Sequence, residues 1–488
     1  MTGSSGAPIL EWIEHWAHTS PERLALIDSS RVMTFGQLRA GISSCASLLS
    51  AHGVGEQQAI GLLLPNCATF AAALLGIAKV GSSAILFPPT LTSTELLQYC
   101  QETGTQLILS DPAHRALAAT AGGRVVENGP GDLQLVRFDI PPATALQRGD
   151  FLGQLTSGAD SLPKVAIRTA AAVWNEIEDF ADEIALTARD AVLVLSSIVH
   201  SYGLIGGTLA PLCRGACVIL RDRFVPQEVL ELIHHERPTI LYAVPVMYRA
   251  LTTAPSSGAK ELASLRLCFS AGAPLPRDVD DGFALRFGRR ISQNYGTTEA
   301  GVISARLEWA PRLRESVGRP VRHRTVIIVN ADGRPQSPGS VGGVMVQSPA
   351  LARAYLIKEG ECGPTALEGG RFRTGDLGWT DEDGHLFLAG RTSQIIHIAG
   401  ATIDIVEVEA VITGLPGVQE VAVVRVPLHD REDGLKAVVV AEGISTADVL
   451  QHCRRHLSRI GVPKIVEFRA ALPRTPAGKI LRRALRDS

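Results

Sequence analysis

The chain reads as an α/β protein: a large N-terminal domain of two stacked α/β sheets with a β-rich subdomain, then a small α+β C-terminal domain. Three observations predict this. Strand-like and helix-like segments alternate through the first half, the signature of largely parallel sheets. After about residue 316 the segments turn rich in Gly, Pro and β-branched residues. A second shift near residues 390–391 opens a compact unit of about a hundred residues, small but able to fold alone. The expected division is therefore 1–390, with the β-rich part at about 316–390, and 391–488.

The elements follow in order. Helical spacing runs over 8–18 and 34–52, and an apolar run over 59–64 ends at Pro65 and Asn66. Residues 67–80 and 93–103 are again helical, with strands at 83–87 and 106–110. Buried strands are expected at 192–195, 217–220 and 239–243, with helices at 227–236 and 245–251. Residues 191–213 hold no Asp, Glu, Lys or Arg, long enough to span a bilayer. His200, Tyr202, Gly206, Gly207 and several hydroxyl residues favour instead a buried strand, turn and helix. Further on, 326–329, 343–347 and 385–389 read as strands. The last unit reads helix 406–413, strands 420–426 and 435–442, helix 446–457 and strand 465–468.

At 488 residues, 45% of them apolar, the chain has material for two or three domains with large cores. A formal charge of −2 marks no polyanion-binding surface, so nucleic acid is not an expected partner. Eight scattered cysteines without a CxxC pair, and no signal peptide, read as reduced thiols of a cytoplasmic protein with no membrane span.

Four short strings carry chemistry. Residues 293–301 (QNYGTTEAG) gather an aromatic ring, two hydroxyls and a carboxylate. Those are parts of a nucleotide site, and also of a polar turn after a strand. Residues 374–378 (TGDLG) set Asp376 between turn glycines, to accept ribose hydroxyls or to stabilise its own turn. Arg391 follows Gly390 as a ribose or phosphate contact, or as a surface arginine at a boundary. Residues 473–480 (PRTPAGKI) hold one amine, Lys479, on a shaped loop before a basic terminal helix; such a lysine is either solvated or catalytic.

In order and spacing these strings resemble the adenylate-forming superfamily: acyl- and aryl-CoA synthetases, adenylation domains of nonribosomal peptide synthetases, and beetle luciferases. The resemblance spans nearly the whole chain. It includes 33–38 (MTFGQL) and 270–276 (SAGAPLP), and is strongest to free-standing acyl- or aryl-CoA ligases. It implies an enzyme, an AMP-forming acid–thiol ligase using ATP and Mg²⁺. Ala271, Gly272, Ala273, Pro274, Asn294 and Tyr295 would line the adenine pocket, Tyr295 stacking on the base, with Gly296 and Thr297 beside it. Thr298 would contact the α-phosphate and Glu299 would hold magnesium. Asp376 and Arg391 would bind ribose. Lys479, from a mobile C-terminal domain, would reach the carboxylate and α-phosphate, where a cation stabilises gathering negative charge. His200 would stand between the carboxylate and nucleotide sites, although a lone His among apolar residues also fits a core.

Two stretches depart from the family. Its phosphate loop is roughly TSGTTGxPKG, whereas residues 156–165 read TSGADSLPKV. Thr156, Ser157, Gly158 and Lys164 survive to bind phosphate, but Asp160 brings a negative charge towards polyphosphate. At the hinge, Ser393 stands where an Asp or Lys is usual and His397 where many members have Lys. In the family this domain rotates after adenylation, bringing the thiol-side segment with His397, Ala399 and Gly400 to the acceptor.

Residues 194–202 hold no carboxylate to pair with an α-ammonium, so a free α-amino acid is not the expected substrate. Val199, Tyr202, Tyr242, Val244, Val246, Met247 and Ala271 suit a hydrophobic or aromatic carboxylic acid. No carrier-protein serine follows Lys479, so the acceptor is expected to be coenzyme A, or alternatively the phosphopantetheine arm of a separate acyl carrier protein. A third reading, prompted by the altered phosphate loop, is a degenerate member that only binds the acid or its adenylate.

Overall fold

The computed structural model describes residues 7–486 except 143–145, 157–163, 256–261, 357–361, 364–366, 369, 392–394, 399–400, 428–432, 458–460 and 475–479. Among the described residues, two large sheets of 14 and nine strands carry the N-terminal part. In the larger, strands Ala191–Val194, Cys217–Leu220, Ile240–Ala243, Leu267–Ser270 and Ser292–Thr297 run parallel. In the smaller, Ala59–Leu63, Ser83–Leu86, Leu107–Ser110 and Asp150–Leu155 do the same. One apolar core lies on helices Phe35–Ala51, Ala68–Lys79 and Ala170–Glu183 and takes side chains from both sheets.

Local chemistry sets the element ends. Thr34 caps its helix and exchanges hydrogen bonds with Gln37 in a capping box, worth about 1 kcal/mol. Ser445 and Asp448 repeat the device at helix Thr446–His456. That helix and Ile405–Thr413 pack on a three-stranded sheet, Val418–Pro427, Asp433–Ala441 and Ile465–Phe468, around their own core. This is the smaller α+β domain that the sequence predicts.

Two expectations need correction, the TGDLG turn and the terminal helix. The β-rich subdomain is continuous with the larger sheet. Its strands Ser316–Pro320, Thr325–Val329, Gly342–Gln347, Arg371–Thr380 and Leu386–Arg391 extend the 14-stranded sheet through antiparallel strand Gly301–Ala305. The TGDLG string is not a turn but lies within the ten-residue strand Arg371–Thr380, where a register shift at Leu377 and Gly378 marks an irregularity. After Lys479 there is one 3₁₀ turn, Arg482–Leu485, rather than a regular helix. The uncharged stretch 191–213 holds a strand and then a π-helix, Tyr202–Leu209. Gly203 permits the wide turn, because a side chain there would meet the Ser197 carbonyl at 2.7 Å. Thr208 donates its hydroxyl to the Gly203 carbonyl, five residues back, at 2.9 Å. No described helix is long and apolar enough to cross a membrane.

Cys45, Cys67, Cys100, Cys213, Cys217, Cys268 and Cys453 are free. Burial raises the thiols of Cys45, Cys100 and Cys268 to about 12, which leaves them unreactive.

Candidate active site

Two clusters form along strand Ser292–Thr297 of the larger sheet, the second at its carboxyl end, where ligand sites of open α/β sheets lie. The first joins three residues that sequence alone treats separately. Asp376 and Arg391 face each other across antiparallel strands, and Arg391 Nε donates to Asp376 Oδ1 at 2.8 Å. The Tyr295 hydroxyl donates to Asp376 Oδ2 at 2.5 Å. Burial, reinforced by the Asp376 charge, pushes the Tyr295 hydroxyl well above its ordinary pKa, so it stays a donor. Each carboxylate oxygen keeps a lone pair beyond its one protein bond, enough for two adjacent hydroxyls.

The second cluster surrounds the turn after strand Ser292–Thr297. The Thr297 hydroxyl accepts from the Ala300 N–H at 3.1 Å and so braces the turn. Thr298 has no hydrogen-bond partner among the described residues and is free to meet a ligand. The Glu299 carbonyl accepts from Ala352 N–H at 2.6 Å, and its Oε1 accepts from the Tyr355 hydroxyl at 2.8 Å. Burial, and then the Glu299 charge, raise the Tyr355 hydroxyl's pKa. Oε2 of Glu299 has no partner among the described residues, which fits a hard cation seeking carboxylate oxygen. Lys164 sits with its ammonium 5.1 Å from the Tyr355 ring centroid.

The phosphate-loop residues Ser157, Gly158 and Asp160 lie outside the described residues. The base of that loop is closed by the Thr156 N–H, which donates to the Lys164 carbonyl at 2.7 Å. Lys479, Ser393, Ala399 and Gly400 also lie outside, as does the His397 side chain, whose backbone pairs with Thr402 in a hairpin. The base of the Lys479 loop is pinned by a bridge between Arg474 and Ile480 and by Leu481 N–H on the Pro473 carbonyl at 2.7 Å. Gly272, Ala273 and Pro274 are exposed, and Ala271 is buried behind them.

The expected pocket residues divide. Val199, Tyr202 and Tyr242 come together in the core, with Tyr202 and Tyr242 rings 5.1 Å apart. The Tyr202 hydroxyl donates to the carbonyls of Ala243 and Phe269, at 3.1 and 2.7 Å. Met247 does not join them; it packs against a separate core that contains Leu241 and Tyr248. Val244 is partly buried, and Val246 is 56% exposed. His200 ends a loop held from two sides. Asn66 donates to the Ser196 carbonyl at 2.9 Å and accepts from Ile198 N–H at 2.9 Å. Gln154, on the strand entering the phosphate loop, donates to the Val199 carbonyl at 3.2 Å and accepts from Ser201 at 2.7 Å.

Sequence reasoning missed Tyr355, Gln154 and Asn66. Tyr355 lies on a three-residue strand, Ala354–Leu356, that crosses back to pair with strand Val165–Thr169 at the exit of the phosphate loop. Asn66, adjoining the turn proline, was the one with a visible signal.

Comparison with known proteins agrees with this geometry. The profile of the AMP-binding enzyme family matches residues 13–356, and that of the AMP-binding enzyme C-terminal domain matches 407–479. A feruloyl-CoA synthase of an Amycolatopsis species is 31% identical over 97% of this chain and 98% of its own length. A long-chain-fatty-acid–CoA ligase of Mycobacterium tuberculosis is 29% identical over 96% of each. Among solved structures, the amide bond synthetase McbA from Marinactinospora thermotolerans superposes with a TM-score of 0.81 at 26% identity, covering 99% of both chains. ATP-bound MatB from Rhodopseudomonas palustris shares the fold with a TM-score of 0.84 at 23% identity, covering 99% of this chain and 98% of its own. With a site of this geometry and a family match over most of its length, the chain belongs to the AMP-binding enzymes of the adenylate-forming superfamily, which activate carboxylic acids with ATP.

Proposed function

We propose that the protein is a free-standing acid–thiol ligase that converts a hydrophobic or aromatic carboxylic acid to its acyl-adenylate and then to a thioester, with coenzyme A as acceptor. The observation that carries this is the hydrogen-bonded unit of Tyr295, Asp376 and Arg391, an aromatic face and a ribose-binding carboxylate locked together. In the first step a substrate carboxylate oxygen forms a bond to the α-phosphorus as the bond to pyrophosphate breaks. In the second, a thiolate attacks the acyl carbon, the bond to the adenylate oxygen breaks, and AMP leaves.

In this reading Tyr295 stacks on adenine, with Asn294, Gly296 and residues 271–274 beside it, and Asp376 holds the ribose. Thr298 meets the α-phosphate, with Thr156 and Lys164 flanking the remaining phosphates. Glu299, oriented by Tyr355, would hold the magnesium, which when bound neutralises charge on the phosphate oxygens. Lys479 belongs to the adenylating arrangement, and His397, Ala399 and Gly400 to the thioester-forming one. His200 stands at the acid's end of the site. Residues 1–390 and 391–488 are the two bodies that exchange these arrangements.

Support for an aryl acid comes from the aromatic lining of Tyr202 and Tyr242, and from the feruloyl-CoA synthase relative. Support for coenzyme A comes from the several relatives named as CoA ligases. The deciding experiment is acid-dependent exchange of labelled pyrophosphate into ATP over a panel of aryl and aliphatic acids. The hydroxyl of fully buried Tyr242 has no hydrogen-bond partner among the described residues, so the panel includes phenolic and aminoaryl acids. Exchange with an aryl acid and thioester on coenzyme A are expected. Thioester formed only on a carrier protein would replace coenzyme A as acceptor, and no exchange with any acid would favour the binding-only reading.

The altered phosphate loop yields a further expected result. Asp160→Thr should lower the KM for ATP several-fold, because it removes a like charge near the triphosphate. An unchanged KM would mean that the carboxylate points away.

A further inference from the structure

The helix that follows the phosphate loop carries a fully buried charge pair that the catalytic reading leaves unused. Arg168, at the end of strand Val165–Thr169, is 0% exposed; Glu176, in helix Ala170–Glu183, is 1% exposed. Arg168 Nη1 lies 2.6 Å from Glu176 Oε2. The other oxygen of Glu176 accepts from the backbone N–H of Val302 at 2.9 Å. Arg168 Nη2 donates to the Ala350 carbonyl at 2.9 Å. One helical turn on, Asp179 pairs with buried Arg324, whose Nε donates to the Val302 carbonyl at 3.1 Å. Side chains therefore grip both backbone groups of a single residue, three positions after Glu299.

The approach depends on Gly301. Its φ is +68°, and a Cβ there would lie 2.3 Å from the Glu176 carboxylate. The last residue of the TTEAG string is thus glycine for a reason separate from the nucleotide: it admits a buried carboxylate behind the turn. Removing two charges from water is costly, so stability alone gives weak reason for such a pair, and an apolar replacement often serves stability as well.

We propose that Arg168 and Glu176 are positioning residues for nucleotide binding. Through the Val302 N–H they hold the turn 297–301, with Thr298 and Glu299, in fixed register with the strand that leaves the phosphate loop. The two halves of the triphosphate site thereby move as one body. This inference rests on the adenylation reading above.

Two double variants test it by calorimetric titration with ATP and by amide hydrogen exchange. Arg168→Leu/Glu176→Leu removes the charges and the acceptor for Val302. Arg168→Gln/Glu176→Gln removes the charges and keeps an amide oxygen there. The leucine pair should weaken ATP binding roughly tenfold, as loss of supporting partners does at other sites, and speed exchange at Val302. The glutamine pair should bind ATP close to the parent. Equal ATP affinity in the parent and the folded leucine pair would overturn the positioning role and leave the adenylation reading intact. A folded parent that binds no ATP would overturn both. Exchange in the parent alone guards against a leucine pair that does not fold. Val302 should exchange as slowly as the centre of its strand before ATP is added, and loop-like exchange there would refute the clamp.

Discussion

Lys479→Ala is expected to slow adenylate formation by about 10²–10³-fold, on the order of 2.7–4 kcal/mol, as loss of a preorganised charge stabiliser does elsewhere. Thioester formation from a preformed adenylate should stay within a few-fold of the parent, because in the proposed cycle the lysine has left the centre by then. The two half-reactions are separable by pyrophosphate exchange and by supplying the adenylate directly. The loop bearing Lys479 is closed at its base by the contacts of Pro473 and Arg474 with Leu481 and Ile480, so losing the side chain should not unfold it. Equal losses in both half-reactions would refute the assigned role.

Asp376→Ala should raise the KM for ATP about a hundredfold. Two hydrogen bonds from the ribose to a carboxylate are lost, each about 1.5 kcal/mol or more. The same substitution removes the acceptor shared by Tyr295 and Arg391, at a cost to stability on the order of 2 kcal/mol. Asp376→Asn keeps one oxygen for the tyrosine and should fall between the two. Steady-state kinetics and thermal denaturation measure the two effects independently. A lowered midpoint with an unchanged KM would make Asp376 purely structural.

Much of the fold was readable from local pattern because its elements are locally specified. Cys67 and Val80 bound the helix Ala68–Lys79 as its caps, and the span expected from spacing was 67–80. Strand Cys217–Leu220 and helix Ser93–Thr103 lie where expected. The site was readable only as strings. What joins them is tertiary: Tyr355 reaches Glu299 across 56 residues, and Glu176 reaches Val302 across 126. No periodicity encodes such pairs. The TGDLG string misled because Gly375, at a φ of +76°, marks a bulge inside a strand and not a turn between elements, and pairing with Leu386–Arg391 continues past it. Met247 misled because it packs with Tyr248 and Leu251 of its own helix in one core, whereas Tyr242, on the strand before it, faces another.

Arg391 gives the adenine–ribose pocket a mechanical meaning. It ends strand Leu386–Arg391, and its side chain is tied to the carboxylate that would hold the ribose. In the proposed cycle, a swing of the C-terminal domain would therefore start from an anchored residue and not from a loose tether. Whatever loads the nucleotide pocket would also load that residue. In the proposed site ATP and AMP would press on the same carboxylate, and each would thus bear on the pivot at the moment one arrangement gives way to the other.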